Sequence, residues 1–245
     1  MSSGVTVIPP MDWNDLRWEL GEHPLALDLF SGVGGVGRTL ANYGSRGPGW
    51  DVLGIDVDAD KAGPYPDYFI EWDLTDGLPP LVYQLAERGL IDIVWASPPC
   101  QFATGVQFAR SGENLIPLAR ELLAEIDAPV KVIENVPGAT EHLENPVQFC
   151  GSAFDLGVQK HRVFETNFYA HGTACNHPDG GFEYCIGDRE APVEGYRAAH
   201  GFAPECELAT KQLREAIPPA YVEELLKQYQ QYPEQSQEST TGCSA

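Results

Sequence analysis

The sequence predicts an α/β protein: a doubly wound, Rossmann-like parallel sheet with a small irregular lobe attached. Three observations predict it. Short apolar runs of strand length alternate with amphipathic stretches, the pattern of successive βαβ units. The first run is followed at once by a glycine-rich turn opening a helix. The residues with chemical potential stand just past the carboxyl ends of the runs, the rim where open α/β sheets bind ligands.

The elements follow in order. Residues 1–22 are mixed, with Trp13 and Trp18 placed to pack as an N-terminal helix. Leu25 to Phe30 is the first strand. Gly32-Val33-Gly34-Gly35-Val36-Gly37 fits G-x-G-x-x-G and opens a helix near Arg38 to Tyr43; its glycines permit a tight turn and close backbone approach to a ligand. Val52 to Ile55 is the second strand. It leaves Asp56, 24 residues after Gly32, where a carboxylate accepts ribose hydroxyls. Tyr68 to Trp72 is the third strand, ending at Asp73. Pro79-Pro80 starts a helix to about Arg88, because proline is tolerated in a first turn. The β-branched run Ile91 to Trp95 is the fourth strand. It stops at Ser97-Pro98-Pro99, since proline cannot donate to a ladder. Cys100 is thereby set on a stiff loop.

Gln101 to Gly112 carries glycine and could close as a lid. Asn114 to Ile126 is an amphipathic helix, and Val130 to Ile133 is the fifth strand, capped by Glu134-Asn135-Val136. Residues 147–169 read as a smaller set of strands. Residues 170–208, rich in Gly, Pro and charge, read as an irregular lobe. Thr210 to Tyr229 is helical, broken at Pro218-Pro219, and the tail from Tyr232 has the composition of a disordered segment. The expected organisation is a main domain over 1–169, a small lobe over 170–208, C-terminal helices returning to the first domain over 209–231, and a tail over 232–245.

Composition bounds the function. A chain of 245 residues with 43% hydrophobic content makes one large domain, or a domain and a small lobe. No apolar run approaches a membrane span, and no secretory leader is visible. The six scattered cysteines read as reduced thiols of a cytosolic protein, or one in a host cytoplasm if the source is viral. The net charge of −21, with only 15 Lys and Arg, gives no basic face. Any nucleic acid must be held by a few placed cations, backbone amides and helix N-termini.

A thiol at a strand's carboxyl end is a candidate nucleophile; the bland alternative is a small buried hydrophobe. Here four segments carry a resemblance. Asp28-Leu29-Phe30-Ser31-Gly32, Ser97-Pro98-Pro99-Cys100-Gln101, Glu134-Asn135-Val136 and Arg162-Val163-Phe164 resemble, in order and spacing, the motifs of the DNA cytosine-5 methyltransferases. The likeness covers residues 25–169 and a short piece near 214–225. It resembles a small, phage-like member with a reduced target-recognition region.

The resemblance implies the fold of an S-adenosylmethionine-dependent methyltransferase, with 1–169 as the catalytic and cofactor-binding domain and 170–208 as the target-recognition lobe. It also implies methylation of cytosine C5 in double-stranded DNA, with the base flipped into the pocket. Cys100 would attack C6, Glu134 would contact N3 and the exocyclic amine, and Arg162 would complete the base contacts. Phe30 would pack on the adenine of S-adenosylmethionine, Asp56 would hold its ribose, Asp73 would face the adenine amine, and Gly32, Gly34 and Pro98 would border it. Asp28 is read as supporting the loop.

The chain departs from the family in two places. Gln159-Lys160-His161-Arg162 is one residue shorter than Gln-x-Arg-x-Arg, which leaves the roles of Lys160 and His161 open. Glu215 replaces an Asn of the family's segment in Glu215-Ala216-Ile217-Pro218-Pro219-Ala220. The lobe offers few readers of DNA (Arg189, Arg197, Asn176 and His177), so a short or degenerate target is expected. Cys175, His177, Cys185 and Cys206 are donor types for zinc, but their irregular spacing reads as unrelated thiols and a surface imidazole, and no metal is expected. Two other functions use the same residues: an enzyme modifying C5 of RNA or a pyrimidine nucleotide, and a non-catalytic binding module. Cys100, Glu134 and Arg162 all being present argues against the module.

Overall fold

Leu25–Leu29 (β2) and Ile91–Ala96 (β5) lie at the centre of the sheet, and every residue of β2 is buried. Near-continuous apolar runs of this kind belong to strands covered on both faces. The computed structural model describes residues 6–7, 24–43, 49–62, 68–103, 112–177, 193–203, 208 and 210–232. Eight strands make one sheet in the order β1-β4-β3-β2-β5-β6-β8-β7. The others are β1 (Thr6–Val7), β3 (Asp51–Asp56), β4 (Tyr68–Glu71), β6 (Val130–Asn135), β7 (Val147–Cys150) and β8 (His161–Thr166).

Strands β1 to β6 pair in parallel wherever they touch. The parallel sheet expected from the alternating strands and helices holds over β2 to β6, while β8 runs antiparallel to both β6 and β7. Residues 147–169 therefore extend the main sheet rather than forming a set of their own. The reason is the connection: β7 and β8 follow β6 without a crossover helix, and parallel neighbours need one.

The helices are α1 (Gly35–Ala41), α2 (Pro80–Glu87), α3 (Ile116–Ala124), α4 (Val193–Ala199), α5 (Thr210–Glu215) and α6 (Pro219–Gln231). One face of the sheet, with Leu27, Leu29, Val94 and Ile133, packs on Leu81, Val82 and Leu85 of α2 and Ile116, Ala119, Leu122 and Leu123 of α3. The other, with Ala26, Ile93, Trp95, Val132 and Phe164, packs on Val36 and Leu40 of α1 and Tyr221, Val222, Leu225 and Leu226 of α6. Alternate side chains go to opposite faces because a strand repeats every two residues. A bulge interrupts this once. Leu25 pairs with Ile91 and Ala26 with Ile93, and the extra residue, Asp92, accepts the Leu25 amide at 3.0 Å.

Helix α1 begins at Gly35, three residues before the sequence reading placed it. Gly34 caps it in the left-handed region (φ 75°), which suits glycine. A Cβ on Gly35 would come within 2.9 Å of the Ile217 amide nitrogen, so the helix start is packed directly on the segment before α6. No helix among the described residues is long and apolar enough to cross a membrane. The helix expected around Trp13 and Trp18, most of the lid (104–111), much of the lobe (178–192 and 204–207) and the tail beyond 232 lie outside the described residues.

Candidate active site

The order of strands reverses between β2 and β5, and a cavity of about 300 Å³ opens at their carboxyl ends. Of the nine residues singled out from the sequence, eight line it: Phe30, Gly32, Asp56, Asp73, Pro98, Cys100, Glu134 and Arg162. Gly34 does not. It turns the chain beneath the cavity, its amide donating to the Ser31 carbonyl at 2.9 Å.

Strand direction explains how Arg162 joins this rim. Glu134 pairs with Phe164 across the β6–β8 ladder. Because β8 is antiparallel, its first residues lie beside the last residues of β6. Arg162 Nε then donates to Glu134 Oε1 at 2.8 Å, both side chains being almost fully buried. The guanidinium also donates to the His161 carbonyl at 2.8 Å and to the Arg214 carbonyl at 3.4 Å. The Ser97 hydroxyl bonds Glu134 as well, and itself accepts Trp95 Nε1–H at 3.1 Å. Burial pushes the Glu134 carboxyl above the ordinary glutamate range; Arg162, Lys160 and Ser97 oppose the shift without cancelling it.

The Cys100 loop is held from β6. Asn135 Nδ2 donates to the Pro98 carbonyl at 2.9 Å while Asn135 Oδ1 accepts the Val136 amide at 3.0 Å. The short turn Gln101–Ala103 rests on the turn Pro137–His142, with Phe102 edge-on to His142. Burial raises the Cys100 thiol above its ordinary pKa. Arg162 pulls it down, and Glu134 and Glu215 push it further up. Burial thus disfavours the thiolate, while the Arg162 cation favours it.

On the other side of the cavity, the Gly32 amide donates to Asp56 Oδ2 at 2.9 Å. Asp28, buried in β2, accepts the Gly37 amide at 3.1 Å and so anchors α1. Asp73 holds Thr75 through both its amide and its hydroxyl, which lowers the Asp73 pKa. Phe30 sits at φ 55°, a left-handed conformation uncommon for a bulky side chain, and such strain clusters at ligand sites. Ser31 Oγ is buried and lacks a hydrogen-bond partner among the described residues, yet Ser31 lines the cavity. Sequence reasoning passed over it, although it stands inside a motif. Trp72, Leu115, Val136, Ala216 and Ile217 also line it; Val136, Ala216 and Ile217 belong to segments that carry the resemblance, whereas no pattern in the sequence pointed to Trp72 or Leu115.

Lys160 and His161 do not line the cavity. Lys160 is fully buried, and its Nζ meets His200 Nε2 at 2.7 Å, the Arg214 carbonyl at 2.9 Å and the Ala216 carbonyl. Burial and the Arg162 charge pull its pKa well below that of a free lysine. It ties α4 and the segment after α5 to β8. His161 faces a different cluster. Its Nε2 lies 3.2 Å from Cys175 Sγ, and His177 and Cys150 stand nearby. The structure thus brings Cys175 and His177 together with Cys150 and His161. Cys185 and Cys206, the other donor types weighed with them and read as unrelated thiols, lie outside the described residues.

The chain is 28% identical over 230 residues to a Frog virus 3 (isolate Goorha) protein named "Probable DNA (cytosine-5)-methyltransferase"; the match covers 82% of this chain and 97% of the relative. No protein-family model matches. Among solved structures, the methyltransferase EhMeth of Entamoeba histolytica superposes with a TM-score of 0.52 at 12% identity, over 84% of this chain and 98% of that one. The Dnmt2 methyltransferase of S. pombe gives 0.39 at 16% identity, over 70% and 60% of the two chains. The likeness to EhMeth is one of fold: the chain has the Rossmann-like α/β architecture of a methyltransferase.

Proposed function

We propose that this chain is a DNA (cytosine-5-)-methyltransferase, moving a methyl group from S-adenosylmethionine to C5 of a cytosine flipped out of the duplex. One observation carries the reading. A thiol, a carboxyl and a guanidinium from three separate segments meet in one cavity, beside the glycine turn and acids suited to the methyl donor. The DNA substrate and the position of methylation come from the similarity to the Frog virus 3 protein.

The residues present fit the donor. Ser31 Oγ is a buried polar atom in want of a partner. Asp56 has one carboxylate oxygen engaged by the Gly32 amide, and its other oxygen is suited to a ribose hydroxyl. A Cβ on Gly32 would meet no atom of the described residues within 4 Å, so the backbone there is open to close approach. When bound, S-adenosylmethionine supplies an electrophilic methyl group.

Cytosine C5 is a weak nucleophile until C6 is attacked. Cys100 Sγ, once deprotonated, bonds to C6, and the ring's electrons move toward N3. Glu134, whose raised pKa lets it keep a proton in the closed site, donates that proton to N3 and leaves C5 enamine-like. Arg162 favours the thiolate of Cys100 and orients Glu134 through their 2.8 Å contact. After transfer, the C5 proton leaves to solvent, Sγ departs, and Glu134 recovers its proton.

One observation favours a second reading, C5 modification of RNA or a pyrimidine nucleotide: a net charge of −21 is a poor match to long duplex DNA. Labelled S-adenosylmethionine incubated in parallel with duplex DNA, RNA and dCMP separates the two. Label recovered as 5-methylcytosine in DNA is the expected result, and label in RNA or dCMP alone transfers the function to the second reading. A 5-fluorocytosine duplex should trap wild type on denaturing gels. Cys100→Ser should give no band, and a band of equal strength would remove Cys100 from the mechanism.

A further inference from the structure

The four side chains Cys150, His161, Cys175 and His177 form a cluster apart from the cavity. One ligand atom from each lies within 4.8 Å of the others. Cys150 ends β7 and His161 begins β8, and the two are direct partners across the antiparallel ladder. The chain after β8 then returns along β7. The Thr173 amide donates to the Gln148 carbonyl at 2.9 Å, the Cys150 amide to Thr173 Oγ1 at 3.1 Å, and the Asn176 amide to Ser152 Oγ at 2.9 Å. A Cβ on Gly172 would come within 2.9 Å of the Gln148 carbonyl oxygen, so glycine is what lets the returning segment lie this close. These contacts deliver Cys175 and His177 to the strand pair.

We infer that Cys150, His161, Cys175 and His177 bind one zinc ion, in a structural site that no motif in the sequence announces. Two thiolates and two imidazoles, with no carboxylate among them, are a donor set for zinc rather than for magnesium or calcium. Four protein donors leave no open position, which marks a structural site rather than a catalytic one. Zn–S bonds of about 2.3 Å and Zn–N bonds of about 2.0–2.1 Å set tetrahedral edges of about 3.3–3.8 Å. The 3.2 Å His161–Cys175 edge is close to the short end of that range, and the cluster need contract by only about 1 Å at its widest. Near-perpendicular imidazole rings with centroids 5.6 Å apart suit two ligands converging on one point. An outer layer is in place too. Ser152 Oγ stands 3.1 Å from Cys150 Sγ, and Gln159 Nε2 3.4 Å from His177 Nε2.

The site has a clear structural consequence. It fastens the first residues of the segment expected to contact the target to the strand that carries Arg162, through the residue immediately before that arginine.

The test is metal content of the full chain, purified under reducing conditions without a polyhistidine tag. Mass spectrometry of the metal should find about one zinc per chain, retained by Cys100→Ser. Cys175→Ser and His177→Ala replace the ligands that lie outside the β7–β8 strand pair, so the fold has the best chance of surviving. Each should weaken zinc by at least about 100-fold in competition with a chromophoric chelator, since losing even an outer partner costs about 10–100-fold. Cobalt(II) in place of zinc should give the visible bands of a tetrahedral thiolate site in wild type and lose them in Cys175→Ser. Wild type that stays metal-free after reduction and addition of zinc would overturn the inference. So would zinc or cobalt binding unchanged in both variants, or a Cys150–Cys175 disulfide whose reduction restores no metal binding.

Discussion

Gly138 sets the gap between the Cys100 loop and the strand of Glu134, and replacing it should slow catalysis without touching a reacting group. A Cβ on Gly138 would lie 2.1 Å from the Ala103 carbonyl oxygen. The backbone of Gly138 is outside the left-handed region, so alanine suits its conformation and the whole cost is contact. Ordinary contact begins near 3.4 Å, so the two backbones must part by roughly 1.3 Å. Neither side is a flexible side chain. The Ala103 amide is bonded to the Cys100 carbonyl at 3.0 Å, and Ala139 is fully buried beneath the turn. The displacement therefore passes to the Cys100 loop, while Glu134 stays fixed in β6.

Overpacking of this kind costs about 1–3 kcal/mol of stability. A misplacement of about 1 Å at a reacting centre costs on the order of 100-fold in rate. Gly138→Ala should show kcat down about 100-fold, 5-fluorocytosine trapping slowed in parallel, a melting temperature lower by a few degrees, and unchanged S-adenosylmethionine affinity by calorimetry. If kcat stays within about threefold of wild type at an unchanged Tm, the turn yields elsewhere and Gly138 is not the spacer.

Three further outcomes are expected. Asp56→Ala should weaken S-adenosylmethionine by about 1.5–3 kcal/mol, the range for a hydrogen bond to a charged group, and calorimetry showing wild-type affinity would move the ribose contact elsewhere. His200, pushed down to about 3 by burial and by Lys160, is neutral when folded. Between that value and its ordinary 6.5 the unfolded chain binds the extra proton, so stability falls as pH falls through this window. Between about pH 7.5 and about pH 5, urea unfolding should show wild type losing about 2 kcal/mol more than His200→Gln; equal losses would mean the imidazole is not buried neutral. Bisulfite sequencing of plasmid methylated in vitro should reveal a short or degenerate target, because a good base contact gives only about 1–3 kcal/mol and the lobe has few readers. Methylation confined to a longer fixed motif would show that a partner or the lobe reads more than its side chains suggest.

Much of the fold was legible because strand burial and helix periodicity leave local marks. The ends of β2 to β6 fall within two residues of where their apolar runs predict them, since glycine, proline or an acid stops each run. The rim residues were legible for a related reason: a motif with its own chemistry sits at the end of each strand. What could not be read was set by distant pairing. Nothing local in His161–Thr166 says that it runs antiparallel beside β6, yet that direction brings Arg162 to Glu134. Cys150 and His161 were invisible as a donor pair because their link is a ladder register, and Cys175, weighed only with later cysteines along the chain, was read as an unrelated thiol. Gly34 was read as a ligand contact because spacing alone cannot separate a glycine that faces a cavity from one that turns the chain beneath it.

The departure at Gln159-Lys160-His161-Arg162 gains a physical account from the same strand. An extended chain sends alternate side chains to opposite sides. Lys160 and Arg162 share a side, and both donate to the Arg214 carbonyl, at 2.9 Å and 3.4 Å. His161 points the other way, toward Cys150, Cys175 and His177. Tyr221 of α6 donates its hydroxyl proton to the Lys160 carbonyl at 2.5 Å, locking the main chain between these two sides. Lys160 occupies the position that the family resemblance gives to a first arginine, but its ammonium is spent on His200 and two carbonyls and does not reach the cavity. Of Lys160, His161 and Arg162, Arg162 alone lines the cavity. That guanidinium inherits its position from two fastenings: the buried lysine that pins the segment Arg214–Ala216 on one side, and the Cys/His cluster that pins the returning chain on the other.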